Sequence, residues 1–199
     1  RKIIQIKKSN LFNLIWVSTD SQKYADLAIK NGAFCPLLRD EFNDNKTPVG
    51  VATAYAFRQA MEYFKKDFKY VYQFMPNCPL IRIKTIINYI KKFEESNYNS
   101  AISGFDYGWA NPHWAVRKSK DDNATPMFSE SLKKRSQDLE KLFCPTGSIW
   151  AAKSNLLLQF NNFYMRDWKM IEIPRYDAAD IDDLDDFEFA EIIDKGINY

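Results

Sequence analysis

The acidic segment from Asp177 to Glu191 holds the residues whose types and spacing most directly suggest chemistry. Asp180 and Asp182 follow Pro174 in a stretch without helical periodicity, so we predict extended chain there. Side chains two residues apart on extended chain point to the same side, which brings the two carboxylates toward one point. Such a pair repels unless a cation or a shared proton relieves it. Mg²⁺ suits the pair, because it prefers oxygen ligands and needs only one or two carboxylates when substrate phosphates complete its shell.

A final helix explains most of the other acids in this segment. Its predicted apolar face consists of Leu184, Phe187 and Ala190. Asp183 is placed to cap the helix, and Asp186 stands where a capping box requires an acid. A solvated turn without any metal is the alternative interpretation for Asp180 and Asp182.

Composition and charge favour one soluble globular domain spanning residues 1–199. Of the 199 residues, 46% are hydrophobic and 16% aromatic, which is enough apolar surface for one substantial core. The net charge of +2 argues against a nucleic-acid-binding face. No apolar run approaches the ~20 residues of a membrane span, so a cytoplasmic protein is the simplest interpretation. Cys35, Cys78 and Cys144 lack the spacing of a metal site and are interpreted as reduced thiols.

Short apolar runs alternate with helical patterns along most of the chain. The predicted strands are Asn13–Asp20, Ala33–Leu38, Tyr70–Met75, Ser100–Ser103, Ser148–Lys153 and Lys169–Ile173. The predicted helices are Ser21–Asn31, with Tyr24, Leu27 and Ala28 on one face and Gly32 just past its end, then Val49–Phe64, Lys84–Phe93 and Ser154–Phe160. This alternation predicts an α/β fold with a mostly parallel sheet covered on both faces. Ligands of such sheets bind at the carboxyl ends of the strands.

The alternation stops in residues 105–145, a long polar segment with scattered Trp and Pro residues. An excursion of this length inside a compact domain is usually functional. We interpret it as a lid or a dimerisation arm.

Five segments, in the same order along the chain, resemble the CMP-sialic acid synthetase (N-acylneuraminate cytidylyltransferase) family. They are VSTD at 17–20, NGAFCPLLRDEFNDNKTP at 31–48, MPNCPL at 75–80, RSQDLEKLFCPTGSIW at 135–150 and DIDDLDD at 180–186. The third resembles the family's Q-P-T-S-P-L turn, and the last resembles its D-I-D metal motif. Together the five segments span most of the chain.

The resemblance implies a Rossmann-like nucleotidyltransferase, dimeric and dependent on Mg²⁺. Such an enzyme couples CTP to the anomeric hydroxyl of a nine-carbon 2-keto sugar acid and releases pyrophosphate. Asp180 and Asp182 would hold the metal. Either Asp180 or Asp182 accepts the hydroxyl proton, or metal activation alone suffices. The sequence does not separate these alternatives.

The resemblance also implies roles for residues elsewhere in the chain. The implied nucleotide-binding residues are Arg39 and Asn77, and the implied sugar-binding residues are Gln73, Met75, Arg135, Gln137, Thr146 and Gly147. Each group has a plainer explanation. Arg39 is placed to pair with Asp40 or Glu41, Arg135 belongs to a basic turn with Lys133 and Lys134, and residues 145–147 form a simple turn in that alternative.

Departures from the family pattern at Met75, at Asn77 and Cys78, and at Gly50, where some members carry a nucleotide-contacting serine, leave the sugar open among sialic, legionaminic and related acids. Met75 stands where the family has a substrate-binding glutamine, and Gln73 is positioned to substitute for it. Asn77 and Cys78 replace Thr and Ser. The family's first strand and its phosphate-binding loop have no counterpart, because the segment RKIIQIKKSNLF resembles only the helix after that loop. We therefore expect upstream residues in the natural protein, and severely impaired turnover without them.

Two further hypotheses stand beside the first. One is transfer to a different sugar or from a different nucleotide. The other, favoured by the unmatched loop, is a catalytically silent binding protein on the same scaffold.

Overall fold

The computed structural model describes residues 1–44 and 46–197. The helices are α1 (Lys2–Ser9), α2 (Gln22–Lys30), α3 (Val49–Phe64), α4 (Ile83–Glu95), α5 (Ser154–Phe160) and α6 (Leu184–Ile197). The strands are β1 (Tyr70–Gln73), β2 (Ser100–Asp106), β3 (Val116–Lys118), β4 (Ala124–Pro126), β5 (Phe143–Lys153) and β6 (Lys169–Glu172).

The main sheet has the strand order β1-β5-β2-β6. Strands β2 and β6 pair in parallel, whereas β5 lies antiparallel between β1 and β2. Three of its four strands therefore run in one direction, and the prediction of a mostly parallel α/β sheet is confirmed.

Helices cover both faces of this sheet because neighbouring strand residues point to opposite sides. On β2, Ala101 packs with Tyr89 and Phe93 of α4, whereas Ile102 packs with Leu157 of α5 on the other face. On β5, Ala151 packs on the α4 side of the sheet and Ala152 packs on the α5 side. The two apolar layers fix the sheet and hence the ends of its strands.

Two predicted strands near the start of the chain are wrong as regular strands. Asn13–Asp20 and Ala33–Leu38 form a single bridge, between Trp16 and Phe34. The amide of Val17 donates to the carbonyl of Phe34 at 2.8 Å, and the amide of Phe34 donates to Ile15 at 2.8 Å. The pairing continues to Arg39, whose amide donates to the carbonyl of Thr19 at 2.8 Å. Neither segment belongs to the main sheet, and a cavity lined by residues of the first segment and of β1 lies beside them. A strand needs partners along its length to form a ladder.

This cavity measures about 1230 Å³ and lies between the Ile15–Thr19 segment and β1. It explains why the predicted apolar face of α2 is only partly right. Tyr24 and Leu27 line the cavity and stay 59% and 56% exposed, while Ala25 and Ala28 are buried. The expectation of a further strand upstream stays a prediction.

The excursion begins after β2 and returns at β5. Its ends meet, since the amide of Tyr107 donates to the carbonyl of Leu142 at 3.1 Å. Between them lie the β3–β4 hairpin and short 3₁₀ turns. Trp109, two residues after Tyr107 near the base of the excursion, is 79% exposed. None of the helices in the described ranges is long and apolar enough to cross a membrane.

Candidate active site

The first turn of α6 is closed by a reciprocal capping box, as the sequence predicts. The amide of Asp186 donates to Asp183 Oδ1 at 2.9 Å, and the amide of Asp183 donates to Asp186 Oδ2 at 3.3 Å. The amide of Asp182 also donates to Asp186 Oδ2, at 3.0 Å. Of the predicted apolar face, Ala190 is buried, while Leu184 and Phe187 remain exposed. The cap leaves the side chains of Asp180 and Asp182 available for other contacts.

Both of these carboxylates meet one turn, the segment that follows β1. Asp180 Oδ1 accepts a hydrogen bond from Cys78 Sγ at 3.5 Å. Asp182 Oδ1 accepts one from Asn77 Nδ2 at 3.4 Å. The amide of Ile181 donates to the carbonyl of Asn77 at 3.0 Å, so main chain and side chains hold the two segments together. These three contacts bring both acids to the turn after the carboxyl end of β1, with Asp182 in a bend rather than in extended chain.

The pair fits a magnesium ion that relies on its substrate for most of its ligands. In the described part of the chain, no Lys or Arg nitrogen lies within 4.0 Å of either carboxylate. No group of three or more His, Cys, Asp or Glu side chains forms a closed metal cage in that part either. Mg²⁺ commonly takes one or two carboxylates together with phosphate oxygens and water. Asp180 and Asp182 would supply those carboxylates.

An ion pair between a buried carboxylate and a partly exposed arginine fixes the turn that precedes these acids. Asp177 is fully buried, and its Oδ1 accepts from Arg82 Nε at 2.9 Å. Its Oδ2 accepts from Arg82 Nη2 at 3.4 Å and from the hydroxyl of Thr85. The carbonyl of Asp177 accepts from Ser148 Oγ at 2.9 Å. Contacts from the start of α4 and from β5 therefore hold the acidic segment, although the sequence gives no local sign of them.

Thr146 and Gly147 lie inside β5, so the alternative of a simple turn at residues 145–147 is wrong. β2 pairs with Phe143–Pro145 and with Trp150–Ala152, and the register shift between these stretches leaves Thr146 and Gly147 in a bulge without a β2 partner. Thr146 Oγ1 donates to the carbonyl of Ala178 at 3.3 Å. The carbonyl of Gly147 accepts from the amide of Met75 at 3.1 Å, and any side chain at Gly147 would collide with Met75. Thr146 is thus bonded within the protein, and Gly147 permits the close approach of Met75.

Arg39, Gln73 and Met75 line the cavity. Arg39 Nε and Gln73 Oε1 are buried without a hydrogen-bond partner among the described residues, as are Trp16 Nε1 and Ser18 Oγ beside the same cavity. Unpaired buried polar groups cost stability. Such groups are common in binding sites that hold no ligand.

The expected alternative for Arg39, a surface ion pair with Asp40 or Glu41, is wrong. No carboxylate of residues 1–44 or 46–197 lies within 4.0 Å of its guanidinium. Asp40 accepts instead from the hydroxyl of Tyr55 at 2.5 Å. The side chain of Arg39 is therefore left to the cavity.

Arg135 and Gln137 do not reach the cavity of their own chain. Arg135 donates to both carboxylate oxygens of Asp138, at 2.8 and 3.1 Å. Gln137 Oε1 accepts from Ser136 Oγ at 3.3 Å. Local hydrogen bonds within the excursion hold both residues at its surface. Their predicted contact with a sugar acid stays a prediction.

Cys78 is a buried donor beside the acid pair. Burial raises the pKa of its thiol to about 11, which keeps the thiol protonated at neutral pH. A protonated thiol is a poor nucleophile. Cys78 is thus suited to orient Asp180 through its hydrogen bond.

Lys2 is a site residue that the sequence pattern did not indicate. Its side chain is buried in the first turn of α1, and Nζ donates to the carbonyl of Ser148 at 3.3 Å. The same nitrogen lies 5.7 Å from the ring centroid of Phe74. Desolvation lowers the pKa of Lys2 to about 8, with opposing contributions from Cys78 and Asp180.

This lowered pKa predicts a stability that rises with pH. Between pH 8 and 10.5, the unfolded chain keeps the Lys2 proton that the folded chain releases, so the free energy of unfolding increases. The difference in the free energy of unfolding between the unmodified protein and Lys2→Met separates the contribution of Lys2 from the contributions of the tyrosines and thiols. We expect that difference to shift in favour of the unmodified protein by about 3 kcal/mol from pH 7 to 10.5. Urea unfolding of both proteins across this range measures it, and a constant difference would contradict the assignment.

Most of the curated proteins found to be similar to this chain are named cytidylyltransferases. It is 26% identical over 193 residues to a pseudaminic acid cytidylyltransferase of Campylobacter jejuni, covering 94% of this chain and 80% of the relative. It is 26% identical over 197 residues to post-translational flagellin modification protein B of Campylobacter coli, covering 98% and 83%. It is 22% identical over 176 residues to an N-acylneuraminate cytidylyltransferase of Streptococcus agalactiae, covering 87% of this chain and 40% of that protein. No family model matches the chain.

Solved structures of nucleotidyltransferases share the fold. A CMP:2-keto-3-deoxy-manno-octonic acid synthetase complexed with CTP aligns over 99% of this chain and 88% of its own, with a TM-score of 0.60 and 13% identity. A 4-diphosphocytidyl-2C-methyl-D-erythritol synthase from Anaerococcus prevotii aligns over 98% and 85%, with a TM-score of 0.56 and 11% identity. The curated relatives confirm the resemblance carried by the five motifs, and the chain fits the nonulosonic acid cytidylyltransferase family.

Proposed function

We propose that this protein transfers CMP from CTP to the anomeric hydroxyl of a nonulosonic, sialic-acid-like sugar acid and releases pyrophosphate. The observation that carries the proposal is that Asp182 bonds to Asn77 and Asp180 bonds to Cys78, both in the turn that follows β1. Asn77 also lines the large cavity, so the acids stand beside space for a nucleotide. The relatives named cytidylyltransferases support the same reaction.

The proposed reaction is a displacement at the α-phosphorus of CTP. The anomeric oxygen forms a bond to this phosphorus while the bond to the β-phosphate oxygen breaks. Pyrophosphate leaves with the electron pair, and the hydroxyl proton passes to Asp180, Asp182 or water. Both reactants are anions, so the site must compensate negative charge that builds up between them.

We propose Mg²⁺ as the cofactor, held by Asp180 and Asp182. When bound, this ion neutralises phosphate charge and acidifies a nearby hydroxyl. Asn77 positions Asp182 through its hydrogen bond, and Cys78 positions Asp180. The clamp of Arg82 on Asp177 keeps the acidic segment at the strand end.

The cavity offers separate polar groups for contacts with the two proposed substrates. Arg39 presents an unpaired guanidinium nitrogen suited to the nucleotide, and Gln73 presents an unpaired amide oxygen suited to a sugar hydroxyl. We further propose a cytoplasmic homodimer that uses the excursion as its arm. Exposed apolar side chains on the excursion support this arm, namely Trp109, Met127 and Phe128.

Pyrophosphate release from CTP with a panel of 2-keto sugar acids tests the function. The assay uses the chain together with any residues that precede Arg1 in the natural protein. We expect release only when CTP, Mg²⁺ and one sugar acid are all present, and loss of release when UTP replaces CTP. Release with UTP would favour a different nucleotide. Binding of CTP without release from any sugar acid would favour a silent binding protein.

A further inference from the structure

Lys2 departs from the usual behaviour of lysine on a surface helix. Lysines normally keep the ammonium in water while the methylene stem packs on the protein. Lys7 and Lys8 of α1 follow this rule and are exposed. Lys2, on the same helix, is only 8% exposed and points its ammonium toward β5.

The buried ammonium has few partners for its charge. An ammonium offers three donors, and here one of them reaches the carbonyl of Ser148. No carboxylate of the described residues lies within 4.0 Å of Nζ. Asp177 and Asp180 act on it only through space. Burial of an incompletely paired charge is costly, so the fold gains little from this arrangement by itself.

The position of Lys2 suggests a function for its poorly paired ammonium. Lys2 lines the same cavity as Met75 and Asn77, beside the turn after β1 to which Asp180 and Asp182 bond. Its free donors are therefore next to the space in which the proposed substrates meet. Both substrates carry anionic oxygens, as phosphates in CTP and as a carboxylate in the sugar acid.

We propose that Lys2 is an anion-binding residue of the site, whose ammonium binds a phosphate or carboxylate oxygen of a substrate. The inference rests on the proposed function for the identity of the two substrates. A purely structural lysine would instead stabilise the fold, and its loss would lower the melting temperature. An anion-binding lysine that is poorly paired in the free protein destabilises the fold until its ligand is present.

Calorimetric titrations of Lys2→Met, Lys2→Arg and the control Lys8→Met distinguish these roles. The probes are inorganic pyrophosphate, CTP and N-acetylneuraminate, each with Mg²⁺. We expect Lys2→Met to melt at the same or a higher temperature and to lose at least about tenfold in affinity for an anion. Lys2→Arg should retain most of the affinity, and Lys8→Met all of it. Weaker pyrophosphate and CTP binding assigns Lys2 to a phosphate, and a loss confined to the sugar acid assigns it to the carboxylate.

Unchanged affinities in Lys2→Met would overturn the inference, as would a lower melting temperature with intact binding. Lys2→Gln gives the same comparison if the methionine variant does not fold. Binding by the unmodified protein distinguishes a failure of this inference from a failure of the proposed function. If it binds pyrophosphate through Lys2 but neither CTP nor a sugar acid, the function fails and the anion site stands. If it binds both substrates and Lys2→Met does so equally well, only the anion site fails.

Discussion

Asp182→Asn is expected to lower kcat/KM for CMP transfer by at least about 10³-fold, with the melting temperature unchanged. Asp182 would hold the metal ion that offsets negative charge in the transition state, and that ion supplies several kcal/mol of stabilisation. The fold should tolerate the change, because the amide of Asp182 rather than its carboxylate bonds to Asp186. The asparagine oxygen can still accept from Asn77, so only the negative charge is removed. Steady-state pyrophosphate release and thermal unfolding measure the two quantities.

Asp185→Asn is the matched control for this prediction. Asp185 is an exposed acid in the first turn of α6, close in sequence to Asp182 but not bonded to the turn after β1. Its substitution should leave turnover near that of the unmodified protein. Equal activity of the two variants would refute the metal role of Asp182, because the loss would then not depend on this particular carboxylate.

Arg82→Met is expected to destabilise the protein by about 3 kcal/mol, which lowers the melting temperature by roughly 6–12 °C. The methionine retains much of the stem volume but leaves the fully buried carboxylate of Asp177 without its cation. It also removes the contact of the guanidinium with the Tyr176 ring, at 4.3 Å from the centroid. We place the loss at the lower end for a broken buried pair because Thr85 still donates to Asp177.

Lys91→Met provides the comparison on the same helix. Lys91 and Glu95 form an exposed pair at 3.9 Å, which contributes well under about 1 kcal/mol. Denaturant unfolding of both variants should therefore give clearly different midpoints. A loss in Arg82→Met as small as that in Lys91→Met would show that the acidic segment is held mainly by other contacts.

Local features of the fold were predictable from the sequence. The predicted bounds of α3 and α5 agree with the structure, because apolar spacing and the flanking residues act within a few turns. The capping box at Asp183 and Asp186 is equally local. Asp180 and Asp182 both bond to the turn after β1, although Asp182 lies in a bend and the sequence did not identify Cys78 as a partner.

Contacts between distant segments were not predictable in the same way. Arg82 and Asp177 are 95 residues apart, and neither position carries a pattern that indicates the other. Lys2 occupies an amphipathic helix whose other lysines are exposed, so the pattern favours solvent. The predicted strands Asn13–Asp20 and Ala33–Leu38 have the right composition, but a ladder depends on neighbours that the described chain does not bring beside them.

The central claim is that Asp180 and Asp182 together hold the divalent cation that meets CTP. Anomalous diffraction from crystals grown with Mn²⁺ and CTP, with Mn²⁺ standing in for Mg²⁺, tests it most directly. We expect one anomalous peak at the end of β1, bonded to oxygens of both carboxylates and to the triphosphate. A peak bound to the triphosphate but remote from Asp180 and Asp182 would contradict the account.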